Sequence, residues 1–115
     1  YKPWMDGTVV TVTEDGRIGA FIEKQDIERK SADIYYKTVN IYKFSRCFLQ
    51  QSYIPCMEEY ITTHGKNQYY EMVLKELTKS DQLRLNAFII DELKWYEIDT
   101  KEDLARAVSI FRCME

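Results

Sequence analysis

No run of apolar residues in this chain approaches the ~20 needed to cross a bilayer, and no signal-peptide pattern opens it. Basic residues are not in excess. Sixteen Lys and Arg stand against 19 Asp and Glu, for a net charge of −3 with the signs interspersed. That argues against a nucleic-acid surface, which needs a basic stripe. Cysteine is sparse: Cys47, Cys56 and Cys113 show no CxxC spacing, which argues against a zinc site or a disulfide framework. Reduced thiols in a cytoplasmic protein are the expectation. His64 is the single histidine, and no Ser or Cys stands near it in a nucleophile setting. It precedes Gly65 at a helix end, where a cation complements the helix dipole. The chain holds no internal repeat, no low-complexity tract and no Gly-rich phosphate loop.

What is present is ordinary globular material, 45% hydrophobic and 30% charged over 115 residues. That length suits one domain. The chain opens at Tyr1 rather than Met, giving the expectation of a segment excised from a longer protein.

Thr8–Thr13 (TVVTVT) alternates as a strand with one buried face does, and Asp15-Gly16 suits a tight turn before a returning strand, Arg17–Glu23. A polar loop follows through Asp33; its Gln25–Asp33 stretch could recognise another protein. Ile34–Phe44 is rich in aromatic and β-branched residues and reads as one long strand. Ser45 then caps a short helix to about Gln51. Ser52 and Pro55 mark the entry to a second, with Ile54, Met57 and Ile61 as its apolar stripe and Gly65 as its stop. Tyr70, Val73, Leu74 and Leu77 follow the i, i+3, i+4, i+7 pattern of a third helix. LRLNAFIID and WYEID read as strands. Thr100 caps a last helix, with Asp103 at the capping-box position and Leu104, Val108 and Phe111 on its buried side. Strands joined by long crossovers predict an α/β mixed sheet with flanking helices.

Three places carry candidate chemistry. Glu23-Lys24 is a charged pair at the end of an apolar strand. Lys37 and Asn40 interrupt an otherwise aromatic and β-branched strand, and buried amides and ammonium groups need partners or a ligand. By period two, Asn40 shares a face with Tyr36 and Thr38 while Lys37 faces the other way, so one route to a pocket is not expected for both. Asp99 lies at a strand's carboxyl end beside a helix amino terminus, where ligands of open α/β sheets bind. Thr100 and Asp103 suffice to cap the helix, which leaves Asp99 redundant as a cap. No second carboxylate is placed beside it by pattern.

The blocks GRIGAFIEK, YYKTVNIYKFS, NQYYEMVLKEL and WYEIDTKEDLARA, in that order from about Arg17 to Phe111, resemble the carboxyl-terminal half of the sugar-phosphate and phosphocholine nucleotidyltransferases. The wording is most similar to the cytidylyltransferases that activate phosphocholine or aminoethylphosphonate-like head groups. The resemblance implies a Rossmann-like fold and transfer of a nucleoside monophosphate from a nucleoside triphosphate to a phosphorylated or phosphonate acceptor. It implies that Asp99 falls where the family places its second metal-binding carboxylate, or an Asn, to help hold Mg²⁺. It places Glu23, followed by Lys24, and Asn40 and Glu71 where acceptor contacts occur; a phosphate- or phosphonate-binding role for Lys37 is the further expectation. The nucleotide loop and the first metal-binding Asp of the family are absent, so residues 1–115 are expected to be inactive alone. A non-catalytic regulatory module, or a homodimer formed through exposed strand edges, is the alternative.

Overall fold

The computed structural model describes residues 1–2, 5–27, 34–80 and 83–112. The predicted hairpin forms. β1 (Val9–Val12) pairs antiparallel with β2 (Ile18–Ile22) through Val9–Ile22, Val10–Phe21 and Thr11–Ala20, and a bulge shifts the register at Thr11/Val12. Asp15-Gly16 lies in the turn, closed by Thr13 N–H to the Arg17 carbonyl at 2.8 Å. After β2 a single 3-10 turn covers Lys24–Asp26. The remainder of the expected 25–33 recognition loop, from residue 28, lies outside the described residues.

β3 is short. Only Tyr35–Lys37 joins the sheet, antiparallel to β1, so the order is β2-β1-β3. The expected strand to Phe44 ends early for two reasons. β1 begins at Val9, opposite Lys37, and offers no ladder partner beyond it. Asn40 then adopts φ +58, a left-handed backbone that Asn tolerates and a strand does not.

Ser45 caps as expected, its Oγ accepting from Phe48 N–H at 3.1 Å. The two helices predicted to either side of Ser52 are continuous: α1 (Arg46–Phe48) widens into a π turn over Leu49–Tyr53 and narrows again into α2 (Ile54–His64). Pro55 explains the widening. It has no N–H to donate, and its ring crowds the carbonyl one turn back. The packed face of α2 also differs from the one expected. Met57 packs inward as expected, but Ile54 and Ile61 are exposed, and Tyr53, Cys56 and Tyr60 join Met57 on the inner side, again at i, i+3, i+4, i+7. His64 ends α2 and stacks on Tyr60 at 4.2 Å. Cys47 and Cys56 are free thiols, and burial pushes the Cys56 thiol up; Cys113 lies outside the described residues.

α3 (Glu71–Thr78) packs against β2 with Val73 and Leu74 against Val10, Phe21 and Tyr53, which together form the core. Leu74 is fully buried, while Tyr70, expected on this stripe, sits at the helix start and is half exposed.

The carboxyl-terminal third departs most from expectation. Residues 83–91 form a single bridge, Arg17–Asn86, with Ile18 N–H to the Leu85 carbonyl at 2.8 Å and Ala87 N–H to the Gly16 carbonyl at 2.9 Å. Residues 95–99 join no ladder among the described residues, so the described sheet is antiparallel rather than mixed. A strand needs a neighbour along its whole length, and none of the described residues supplies one. α4 (Lys101–Phe111) is capped as predicted: Asp103 N–H donates to Thr100 Oγ1 at 3.1 Å and Thr100 N–H to Asp103 Oδ2 at 3.0 Å. Its apolar side is not covered. Leu104, Val108 and Phe111, expected inside, are exposed, and Ala107 alone of the described α4 residues is buried. Phe88, 89% exposed, is equally bare. No helix among the described residues is long and apolar enough to cross a membrane.

Candidate functional site

A cleft of about 530 Å³ opens between the start of β1, the end of β2, the residues after β3, the start of α3 and the segment entering α4. Glu23, Lys24, Lys37, Asn40, Glu71 and Asp99 all line it. The volume lies in the usual range for small-molecule sites, roughly 300–1,000 Å³. A second hollow of about 360 Å³ continues from it over Lys37, Glu97 and Asp99 towards Asp103 and Arg106.

Lys37 is set by β3. Its side chain is only 5% exposed, and its ammonium donates to the Thr38 carbonyl at 2.7 Å and pairs with Glu97 Oε2 at 3.4 Å. Gly7 makes room for it. With φ +90 and a hypothetical Cβ only 3.1 Å from Lys37 Nζ, position 7 suits glycine on both backbone and steric grounds. Gly7→Ala is accordingly expected to lower stability by about 1–2 kcal/mol in urea unfolding, through left-handed strain and displacement of Lys37. An unchanged midpoint would show that the backbone there relaxes freely.

Asn40 reaches the same cleft as Lys37, against the period-two expectation. Its left-handed backbone breaks the strand's alternation, so face assignments counted along the strand stop applying at that residue. Its amide Nδ2 donates to Glu97 Oε1 at 2.7 Å, and its Oδ1 accepts from the Tyr70 hydroxyl at 3.3 Å, which orients the amide. Burial pushes the Tyr70 hydroxyl up.

Glu71 forms the floor. It is 5% exposed and its Oε1 accepts from Thr38 Oγ1 at 2.9 Å and from the Tyr42 hydroxyl. Burial first, and the bond to Glu71 second, push the Tyr42 hydroxyl far above its ordinary range. At the other end, Glu23 accepts from Lys75 Nζ at 3.2 Å, and that bond, aided by Gln25, holds its carboxyl below the usual value. Lys24 donates to Asp6, which raises the lysine.

Asp99 is exposed on the rim. Its backbone N–H donates to Asp103 Oδ2 at 3.3 Å, and its carboxylate makes no hydrogen bond or ion pair among the described residues. The cap is complete without it. No three His, Cys, Asp or Glu among the described residues come close enough to form a metal cage by themselves. Asp99 can serve a hard cation as one ligand, with substrate oxygens and water completing the shell.

The cleft thus combines exposed and buried carboxylates with a sheltered ammonium and an oriented amide. Such a set suits a small polar ligand that carries an oxyanion and a positive charge, or an oxyanion held with a divalent cation.

No family model matches the chain. No solved structure matches it either. Two characterised proteins are similar. CMP-5'-(3-aminopropyl)phosphonate synthase of Streptomyces rubellomurinus (strain ATCC 31215) is 26% identical over 106 residues, covering 88% of this chain and 16% of that protein. Bifunctional protein GlmU of Sulfurimonas denitrificans (strain ATCC 33889 / DSM 1251) is 20% identical over 101 residues, covering 88% of this chain and 22% of that protein. These likenesses support a distant relationship to nucleotidyltransferases. The chain spans less than a quarter of the length of the curated relatives it matches.

Of the charged residues lining the cleft, two are not among the candidates named from the sequence, Glu97 and Asp6. Glu97 carried a usable signal: in the extended segment WYEID it stands two residues from Asp99 and so on the same side. It is also a second carboxylate in Asp99's cleft, which pattern alone did not place. Asp6-Gly7 reads in sequence as a turn first and as a site only a distant second.

Proposed function

We propose that this chain is the acceptor-binding, metal-completing part of a nucleotidyltransferase that transfers CMP from CTP to a small phosphorylated or phosphonate-bearing amine or alcohol, releasing pyrophosphate. The observation that carries the reading is the convergence of Glu23, Lys24, Lys37, Asn40, Glu71 and Asp99, widely spaced in sequence, on one cleft. Similarity to a CMP-aminopropylphosphonate synthase over 88% of the chain supports the choice of nucleotide and acceptor.

In this reading an acceptor oxygen attacks the α-phosphorus, a new P–O bond forms, and the bond to the β-phosphate oxygen breaks with its electron pair leaving on pyrophosphate. The acceptor oxygen is already anionic, so no general base is needed. Lys37 and Asn40 hold the acceptor's remaining oxygens; Glu23 and Lys24 face its other end. Glu71 fixes Thr38 and Tyr42, and through them the turn that carries Asn40. Asp99, with its free carboxylate, fits as one ligand of Mg²⁺, which when bound neutralises charge on the transferring phosphate. The nucleotide loop and the partner carboxylate belong to polypeptide outside residues 1–115, and the bare apolar side of α4 and the unladdered 95–99 segment are where it packs.

Full-length protein supplied with CTP, Mg²⁺ and 3-aminopropylphosphonate, 2-aminoethylphosphonate or phosphocholine is expected to release pyrophosphate, with ATP a poor substitute. Residues 1–115 alone are expected to release none. Absence of release from the full-length protein with every nucleotide and acceptor refutes the reading and leaves the non-catalytic, self-pairing module as the better account of the exposed apolar residues.

A further inference from the structure

Lys37 and Asn40 are held by several contacts each, and the group that pairs with both is held by fewer. Lys37 lies 95% buried beneath Gly7 on a hydrogen-bonded strand, and the Tyr70 hydroxyl orients the Asn40 amide. Glu97, their shared partner, is 40% exposed and belongs to a stretch that joins no ladder among the described residues. One of its carboxylate oxygens faces Lys37 at 3.4 Å and the other accepts from Asn40 at 2.7 Å. A carboxylate spanning an ammonium and an amide in this way copies two oxygens of a tetrahedral oxyanion. The ammonium carries three donors; the Thr38 carbonyl and Glu97 engage two of them. A phosphate or phosphonate, with three acceptor oxygens and nearly twice the charge, satisfies the pair more fully than a carboxylate does.

We infer that Lys37 and Asn40 form an oxyanion subsite which Glu97 fills in the unliganded chain, and that the acceptor's phosphate or phosphonate displaces Glu97 from it. The inference deepens the transferase reading and rests on it for the natural ligand. Glu97 is a gatekeeping residue here: it sets affinity by competition.

Isothermal titration of the full-length protein with methylphosphonate, without nucleotide or Mg²⁺, tests this. Glu97→Gln removes the competing charge at an exposed position and is expected to tighten binding on the order of fivefold, as loss of one partly exposed ion pair allows. Lys37→Met is expected to abolish binding. Asn40→Gly, which keeps the left-handed backbone while removing the amide, is expected to weaken it and guards against misfolding of the lysine variant. Saturating CTP is expected to leave methylphosphonate affinity unchanged. Equal or weaker binding by Glu97→Gln, wild-type binding by Asn40→Gly, or competition by CTP overturns the proposal. The titration contains no nucleotide, so it fails separately from the transferase reading. Binding through Lys37 without pyrophosphate release keeps the subsite and loses the transferase. Turnover with no tightening in Glu97→Gln does the reverse.

Discussion

Asparagine at position 99 is expected to lower Mg²⁺-dependent pyrophosphate release by the full-length protein at least about 100-fold, the scale on which even indirect metal-site partners act. Thermal unfolding should stay where it was. The separation follows from geometry: the Asp99 carboxylate has no partner among the described residues, and the Thr100–Asp103 box caps α4 without it. Surface groups that touch nothing leave stability nearly unchanged when substituted. Asp103→Asn is the matched control. Its carboxyl is held below the usual range mainly by the Thr100 hydroxyl, so its loss should loosen α4 rather than silence chemistry. Turnover by Asp99→Asn equal to wild type would remove the metal role.

Removing the floor carboxylate should act in the opposite way. Glu71→Ala is expected to destabilise the fold by about 3 kcal/mol, since two partly buried hydroxyls lose an acceptor that strengthens each bond. Urea unfolding measures it, and a loss below about 1 kcal/mol would mean that water replaces the carboxylate. Tyr42 supplies a pH test. Its folded value is raised above the ordinary 10.0, so the stability it contributes is fully present below pH 10 and is lost as the pH rises beyond it. Tyr42→Phe should flatten that alkaline decline.

The parts of the fold legible in sequence are those set by neighbours along the chain. The β1–β2 hairpin follows from Val/Thr alternation around Asp15-Gly16, the α4 cap from Thr100 and Asp103, and the buried stripe of α3 from Val73, Leu74 and Leu77. What was not legible depends on distant partners. Ile34–Phe44 has the composition of a long strand, but β1 gives it only a short ladder and Asn40 turns it away. Leu104, Val108 and Phe111 announce a face to be covered, and periodicity says nothing about what covers it. The same division holds in the cleft. Asp99 stood out because a complete cap made it superfluous, whereas Lys37 and Asn40 were separated by a parity rule that a single left-handed residue cancels.

Glu97 also acts as a tether. Its bond to Asn40 joins residues 57 apart in sequence and holds the approach to α4 against the sheet. The Arg17–Asn86 bridge already returns the chain to the sheet, so Glu97 closes only the short stretch that follows it, at a small entropic penalty. A ligand that takes Lys37 and Asn40 from Glu97 removes that tie between the two sides of the cleft unless it binds both. Small oxyanions should loosen the chain as they enter, and an acceptor that also reaches the Asp99 side should knit it together again. The cleft would then favour substrates by their span as well as by their charge.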